Sequence, residues 1–216
     1  MKQKLTDADR VLLDRRIADT EKRTGAQFVL ASVRRSDSYA ELPWKAFAFG
    51  ASIASLIVLL LDLFVLGWLT ETLIVFSVVV ILASGALMAL LTVILPGFAR
   101  LFLSPIRREV ETLQYAESLF LSRELFATEE RSGILLLVSQ FERQVVILPD
   151  TGVRNLLDNE ALKEVISGMK RHLREGELRQ AMEAGLEGIL AALASPLKSA
   201  DGNNELTNDI IEEEGI

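Results

Sequence analysis

Cysteine is absent from the 216 residues and histidine occurs once, as His172. Those two shortages exclude a disulfide framework, a thiol nucleophile and a zinc centre built from cysteine and histidine. The lack of cysteine also fits a reducing compartment. No glycine-rich phosphate loop of the Walker type occurs. Ser139 sits in Leu137-Val138-Ser139-Gln140-Phe141, without the flanking glycines of a nucleophile elbow, so a serine hydrolase is disfavoured as well. Basic excess is missing too: 23 Lys and Arg stand against 30 Asp and Glu, for a net charge of −7, which argues against nucleic acid as a partner. The first 44 residues lack the basic patch, short apolar region and small-residue cleavage site of a secretory signal.

Over two stretches, what is lacking is charge itself. Ala46 to Leu69 holds only Asp62, Leu73 to Ala99 holds none, and Thr70, Glu71 and Thr72 separate the two runs. At about 1.5 Å of helical rise per residue, about 20 apolar residues cross the hydrocarbon core of a bilayer. Both runs exceed that, so the sequence predicts a transmembrane helical hairpin over 45–103, with spans at 46–69 and 73–99. A connection this short makes the helices antiparallel and returns the two flanking segments to the same face. Arg34, Arg35 and Lys45 flank the first span and Arg100, Arg107 and Arg108 the second, whereas the turn carries only Glu71. Lys and Arg resist translocation, so both termini are expected in the cytoplasm, with the protein integral to a bacterial-type inner (plasma) membrane. Trp44 and Trp68 sit near the ends of the first span, where indole rings favour the interface.

The aqueous remainder reads as alternating helices and strands. Thr6 and Asp9 have capping-box spacing, and Val11, Leu12, Leu13 and Ile17 give an apolar stripe ending at Thr24-Gly25. Gln27 to Val33 suits a buried strand. Pro105 to about Phe126 predicts an amphipathic helix with Val110, Leu113, Ala116, Phe120 and Leu121 inward. Ile134–Ser139 and Gln144–Leu148 predict a β-hairpin. Asp158 caps a helix lined by Leu162, Val165, Ile166, Met169 and Leu173 up to Gly176, with His172 on its polar side, and a last helix buries Leu178, Met182, Leu186, Ile189, Leu190 and Leu193.

Because the first strand and the Ile134 strand are joined by a long crossover containing helix, they should pair in parallel, with the Gln144 strand antiparallel beyond. The expected fold is α/β: a small α/β/α sandwich interrupted by a two-helix transmembrane hairpin. It assembles from residues 1–44 and 104–195. Residues 196–216, rich in Asp and Glu, read as a solvated acidic tail, disordered or serving as a docking arm.

The ordered combination of Arg23-Thr24-Gly25-Ala26-Gln27, Asp37-Ser38-Tyr39-Ala40-Glu41, Arg131-Ser132-Gly133-Ile134-Leu135-Leu136, Glu142-Arg143-Gln144-Val145-Val146-Ile147 and Pro149-Asp150-Thr151-Gly152-Val153 resembles the TPM domain family. That family is named for a thylakoid lumen protein, a photosystem II associated protein and a modulator of levamisole receptors. The hairpin after the first strand departs from its pattern, as does the lack of a separate C-terminal anchor. The resemblance implies an α/β/α sandwich and a role in assembly, repair or quality control of membrane complexes. Some members are described as acid phosphatases or as calcium-binding.

Strand polarity brings Asp150 beside Arg131, with Glu129, Glu130, Thr24 and Thr151 expected at the same rim and Asp37 and Gln140 at the opposite one. Two readings follow. Asp150 with Glu129 or Glu130 ligates a hard cation, Ca2+ or Mg2+, with phosphate bridging it to Arg131; alternatively, Arg131 and Asp150 form an ion pair that pins the strand ends. In the membrane, Asp62 lies about level with Val80, near Ser77 and Ser84, and serves either as a polar contact or as a functional carboxylate. Gly50 with Ala54, Ala51 with Ser55 and Gly85 with Ala89 give small faces for close helix packing. Two functions remain open. One is a non-enzymatic membrane accessory factor contacting another membrane protein, or a second copy of itself, beside the lipid bilayer. The other is a membrane-bound, divalent-cation-dependent phosphatase.

Overall fold

The computed structural model describes residues 5–66, 71–193 and 210–215. It divides into two compact units, residues 1–37 with 109–216, and residues 38–108.

In the first unit, helix α1 (Asp7–Thr24) opens with the reciprocal Thr6–Asp9 capping box and closes on Gly25 at φ 75°. Strand β1 (Gln27–Val33) follows, buried at every position. Helix α5 (Pro105–Ser122) belongs to this unit from Glu109 onward. It leads through a 3-10 turn, Leu125–Ala127, to β2 (Gly133–Ser139) and β3 (Gln144–Pro149). Then come α6 (Thr151–Arg154), α7 (Asn159–Glu175), α8 (Leu178–Ala192) and β4 (Ile210–Glu213).

The four strands form one sheet in the order β3-β2-β1-β4. β1 runs parallel to β2, with Gln27 opposite Gly133 and Val33 opposite Ser139, and β2 runs antiparallel to β3. Both faces are covered, and so β1 and β2 read as continuous apolar runs, whereas edge strand β3 alternates in burial. Phe28, Leu30, Ile134, Leu136 and Ile147 pack on one face against Leu13 and Ile17 of α1, Val165 and Met169 of α7, and Met182, Leu186 and Ile189 of α8. Val29, Ala31, Leu135 and Leu137 pack on the other face against Ala116 and Leu119 of α5 and against Leu125. The layers are therefore α/β/α.

Three expectations need correction. Val11 and Leu12 are exposed, because α1 turns Leu13, Ile17, Thr20, Glu21 and Thr24 inward. On α5 the buried stripe is Thr112, Ala116 and Leu119, which leaves Val110, Leu113 and Leu121 exposed. The acidic tail is not wholly unstructured: Ile210–Glu213 adds β4 beside β1, with Leu30 opposite Ile210 and Val33 opposite Glu213. Ile211 is buried there, and its burial together with the ladder outweighs the acidic composition. Residues 196–209 and 216 of the tail lie outside the described residues.

The second unit contains α2 (Glu41–Leu61), a π-helical turn (Asp62–Leu66), α3 (Glu71–Ile94), α4 (Pro96–Ala99) and a 3-10 turn, Arg100–Phe102. Glu41–Phe64 and Leu73–Ile94 are helical segments long and apolar enough to cross a membrane. Their large side chains, among them Leu56, Leu60, Val75, Phe76 and Leu87, point outward. The second apolar run ends as a helix at Ile94, five residues short of Ala99. The reason is Pro96, which pushes Leu95 to an extended φ, ψ of −114°, 96°. Ala46, Gly50 and Ala54 form the buried seam of α2. At Gly50 a Cβ would fall 2.7 Å from Met88 Cγ, so only glycine allows α3 to approach this closely. Ser55, by contrast, is exposed. Trp44 is exposed as expected of an interfacial ring, and Trp68 lies outside the described residues.

Candidate functional site

The sheet has two rims, and they differ in chemistry. At the first, where β1 and β2 begin, Asp150 is almost completely buried and caps α6 by accepting the Thr151 amide at 2.7 Å. Arg131 donates to both of its oxygens, Nε to Oδ2 at 2.7 Å and a terminal nitrogen to Oδ1 at 3.0 Å. Main chain doubles the link: Asp150 N donates to Gly133 O and Gly152 N to Arg131 O. At Gly152 a Cβ would lie 2.1 Å from the carbonyl oxygen of Glu130, so this approach requires glycine. Burial raises the Asp150 pKa, but the Arg131 hydrogen bond, the Thr151 amide and the Arg131 charge outweigh it and hold the carboxyl below its ordinary value.

This rim therefore contains the ion pair. Glu129 and Glu130 are exposed. The one group of three metal-ligating side chains among the described residues is His172, Glu175 and Glu177, so Asp150, Glu129 and Glu130 do not converge on a common cation position. Both oxygens of Asp150 are instead engaged by the guanidinium of Arg131. Thr24 is buried and bonds locally, donating to Thr20 O and accepting the Ala26 amide, while Thr151 is exposed. His172, near the end of α7, lies 3.3 Å from Glu177 Oε2.

At the opposite rim, where parallel strands β1 and β4 end, the structure opens a cavity of about 460 Å³ lined by Ser36, Asp37, Glu111, Tyr115, Ser118 and Glu213, among others. Ligand crevices in α/β sheets lie beyond the carboxyl ends of strands, as here. Beneath it is a buried polar network. Glu142, with no exposed surface, accepts the Ser36 amide at 2.9 Å and a hydrogen bond from the Ser139 hydroxyl, and the Ser36 and Ser139 hydroxyls are 3.2 Å apart. The turn carrying Glu142 is bound to β1, since Gln140 N donates to Val33 O and Gln140 Nε2 to Ser32 Oγ. Tyr115 donates to Glu213 Oε2 at 2.5 Å. Burial and then the Glu213 carboxylate raise the phenol pKa, which keeps Tyr115 a donor. Three carboxylates and several hydroxyls line this space beside apolar surface, without three carboxylates converging on one point, and such a lining suits a cationic or hydroxyl-rich ligand.

Sequence reasoning placed Asp37 and Gln140 at this rim but missed the cavity, because Glu111, Tyr115 and Glu213 come from segments far away in the chain. The available signal was a Ser-Asp pair directly after a parallel strand.

In the hairpin, Asp62 begins the π-helical turn, and its Oδ1 is buried without a hydrogen-bond partner among the described residues. Ser77 does not serve it, since its hydroxyl donates to Leu73 O at 2.7 Å on its own helix. Ser84 presents its backbone carbonyl to Gly50, 3.0 Å from where a Cβ would stand.

Comparison with known proteins gives two findings. Residues 104–192 match the family model described as the TPM domain. The fold is similar to the NMR structure of the BA42 protein from the psychrophilic bacterium Bizionia argentinensis, with a TM-score of 0.57 at 15% identity, over 98% of this chain and 97% of that one. No curated protein matches significantly.

Proposed function

The chain carries a TPM domain over residues 104–192, and from that premise we propose that it is an integral membrane accessory protein. Its TPM domain faces the cytoplasm and supports the assembly or quality control of another membrane protein or complex, or of a second copy of itself. One observation carries this reading. The crossover from β1 to β2, which are paired in parallel, runs through two helices long and apolar enough to cross a bilayer, so sheet closure and membrane insertion are coupled. The basic residues around the hairpin, Arg34, Arg35, Lys45, Arg100, Arg107 and Arg108, against Glu71 in its turn, support two cytoplasmic termini in a bacterial-type inner membrane.

A divalent-cation-dependent phosphatase is the second reading, for which the carboxylates of Asp37 and Glu213 at the cavity would supply oxygen ligands. A phosphate ester would need Ca2+ or Mg2+ to bridge it to that carboxylate lining. The Asp150 rim supports it less, because Arg131 already holds that carboxylate.

Cross-linking in native membranes, followed by identification of the captured proteins, tests the first reading, with a reproducible membrane-protein partner expected. Hydrolysis of phosphate esters with Ca2+ or Mg2+, on wild type, Asp37→Ala and Asp150→Ala, tests the second. Cation-dependent turnover abolished by Asp37→Ala overturns the non-enzymatic reading.

A further inference from the structure

We infer that the outer edge of β1 is a strand-recognition site. It reads an extended segment with two branched apolar residues followed by acidic ones, presented by a partner protein, and the chain's own residues 210–215 are its resident occupant. The inference deepens the accessory-factor reading and rests on it for the existence of a partner.

The argument begins with the backbone. β1 is buried on both faces, and without β4 the outward amides and carbonyls from Leu30 to Val33 would be unpaired. Such an edge is a template for strand addition. The seated segment is short, four paired residues, and Ile211 is its one buried side chain. Short edge elements with few buried side chains belong to the end of a fold that opens most readily.

Side chains then supply selectivity. Alternation along the strand sends successive acids to opposite faces. Glu212 turns toward α1, where it accepts the Leu5 amide at 2.9 Å and pairs with Arg10. Glu213 turns toward α5, where it accepts the Tyr115 hydroxyl and lies 3.6 Å from Arg123. Glu214 reaches Arg34 at 4.0 Å. Arg34 also donates its amide to Glu213 O at 3.0 Å. Past the acids, a Cβ at Gly215 would fall 1.7 Å from Arg35 O, so a small residue is read there. Arg10, Arg34 and Arg123 come from three different parts of the chain and match the acids one to one, a charge complementarity that specifies the ligand. Ile210 and Ile211 supply the apolar anchors, one on each face of the sheet.

A partner segment of this chemistry competes with the tail. Because the tail belongs to the same chain, its pairing with β1 is intramolecular, so the intact chain binds such a segment weakly and a chain with its tail expelled binds it strongly. Glu213 and Gly215 also line the Asp37 cavity, so exchange of the occupant rebuilds one wall of that cavity.

The test uses full-length chain in detergent and a fluorescent peptide with the sequence of residues 208–215, read by anisotropy. Ile211→Lys, which expels the tail, is expected to bind the peptide at least about tenfold more tightly than wild type. A peptide with Lys at the positions of Glu212 and Glu213 is expected not to bind. In case Ile211→Lys fails to fold, the cysteine-free chain permits a lock. Ser32→Cys with Glu212→Cys, which are register partners, pins the tail when oxidised, so oxidation should abolish peptide binding and reduction should restore it to at least the weak wild-type level. Equal binding by wild type and Ile211→Lys, equal binding of the charge-reversed peptide, or equal binding by locked and reduced chain overturns the inference. If these fail while a membrane partner is still captured by cross-linking, only this docking mode falls. If no partner is captured, the accessory reading falls, and with it the partner named here.

Discussion

The two rims of the sheet use carboxylates for opposite ends. At the rim where β1 and β2 start, Asp150 is spent: two oxygens serve Arg131 and the Thr151 amide, and main-chain bonds close the remaining space. At the rim where β1 and β4 finish, Asp37, Glu111 and Glu213 line an open cavity, Glu213 there accepting the Tyr115 hydroxyl and lying 3.6 Å from Arg123. A buried carboxylate facing a fixed guanidinium is a fastener, whereas carboxylates gathered around space can meet something from outside. Counting acidic residues would not separate the two cases. The room left beside them does.

Four substitutions sharpen that contrast, and the sheet between the rims should respond most. Leu136 has no exposed surface and packs in the core shared with α7 and α8. Leu136→Ala should lower unfolding stability by about 2–5 kcal/mol, read by denaturation of the solubilised protein.

Glu21 comes next, and its sign is opposite. It is buried on α1 and accepts the Phe28 amide at 2.9 Å. Burial raises its pKa to about 7, the Phe28 amide offsetting only part of the shift. A carboxyl whose folded pKa lies above its unfolded value stabilises the fold while both states are protonated. That contribution is lost as pH rises from about 4.5 to about 7 and stays lost above. Glu21→Gln keeps the acceptor, so it should stabilise the protein at pH 8 by about 2–3 kcal/mol and leave stability near pH 4 unchanged. Melting temperatures across pH check this.

Asp150→Ala follows the reverse rule. With its folded pKa held below the unfolded one, Asp150 contributes above the ordinary carboxylate range and ceases to contribute as pH falls through its folded value. The Arg131 side chain is half exposed, so solvent screening reduces the loss to about 1–2 kcal/mol at pH 7, mostly the helix cap and the buried hydrogen bonds. Wild type and variant should converge in acid. Asp37→Ala, at the open rim, should change stability least, by less than Asp150→Ala and about 1 kcal/mol or less. Its effect should appear instead in cation or ligand binding, measured by calorimetry. A stability loss at Asp37 equal to that at Asp150 would erase the distinction between the rims.

Legibility in the sequence followed the range over which each feature is encoded. β1, β2 and β3, their directions, and the caps at Thr6, Gly25, Asp158 and Gly176 were readable because run length, turn residues and crossover length are local signals. The Asp150–Arg131 pair was readable from strand polarity alone. β4 was not, since Ile210-Ile211 is a two-residue apolar signal inside an acidic segment and its partner strand lies near the other end of the chain. The cavity was hidden for the same reason. Glu21 was overlooked because a glutamate beside an apolar stripe reads as solvent-facing, and only packing against β1 shows that it is buried. On α5 the larger residues Val110 and Leu113 suggested the inward face, yet the sheet accepts the smaller Thr112 and Ala116.

The proposed arrangement, a cytoplasmic domain closed across a membrane hairpin, is tested most directly by labelling single cysteines in the cysteine-free chain. Asp19→Cys and Glu164→Cys place one exposed thiol in each part of the domain. In sealed membranes, an impermeant maleimide should reach both from the cytoplasmic side and neither from outside. Labelling from opposite sides, or of either site from outside, would contradict the account.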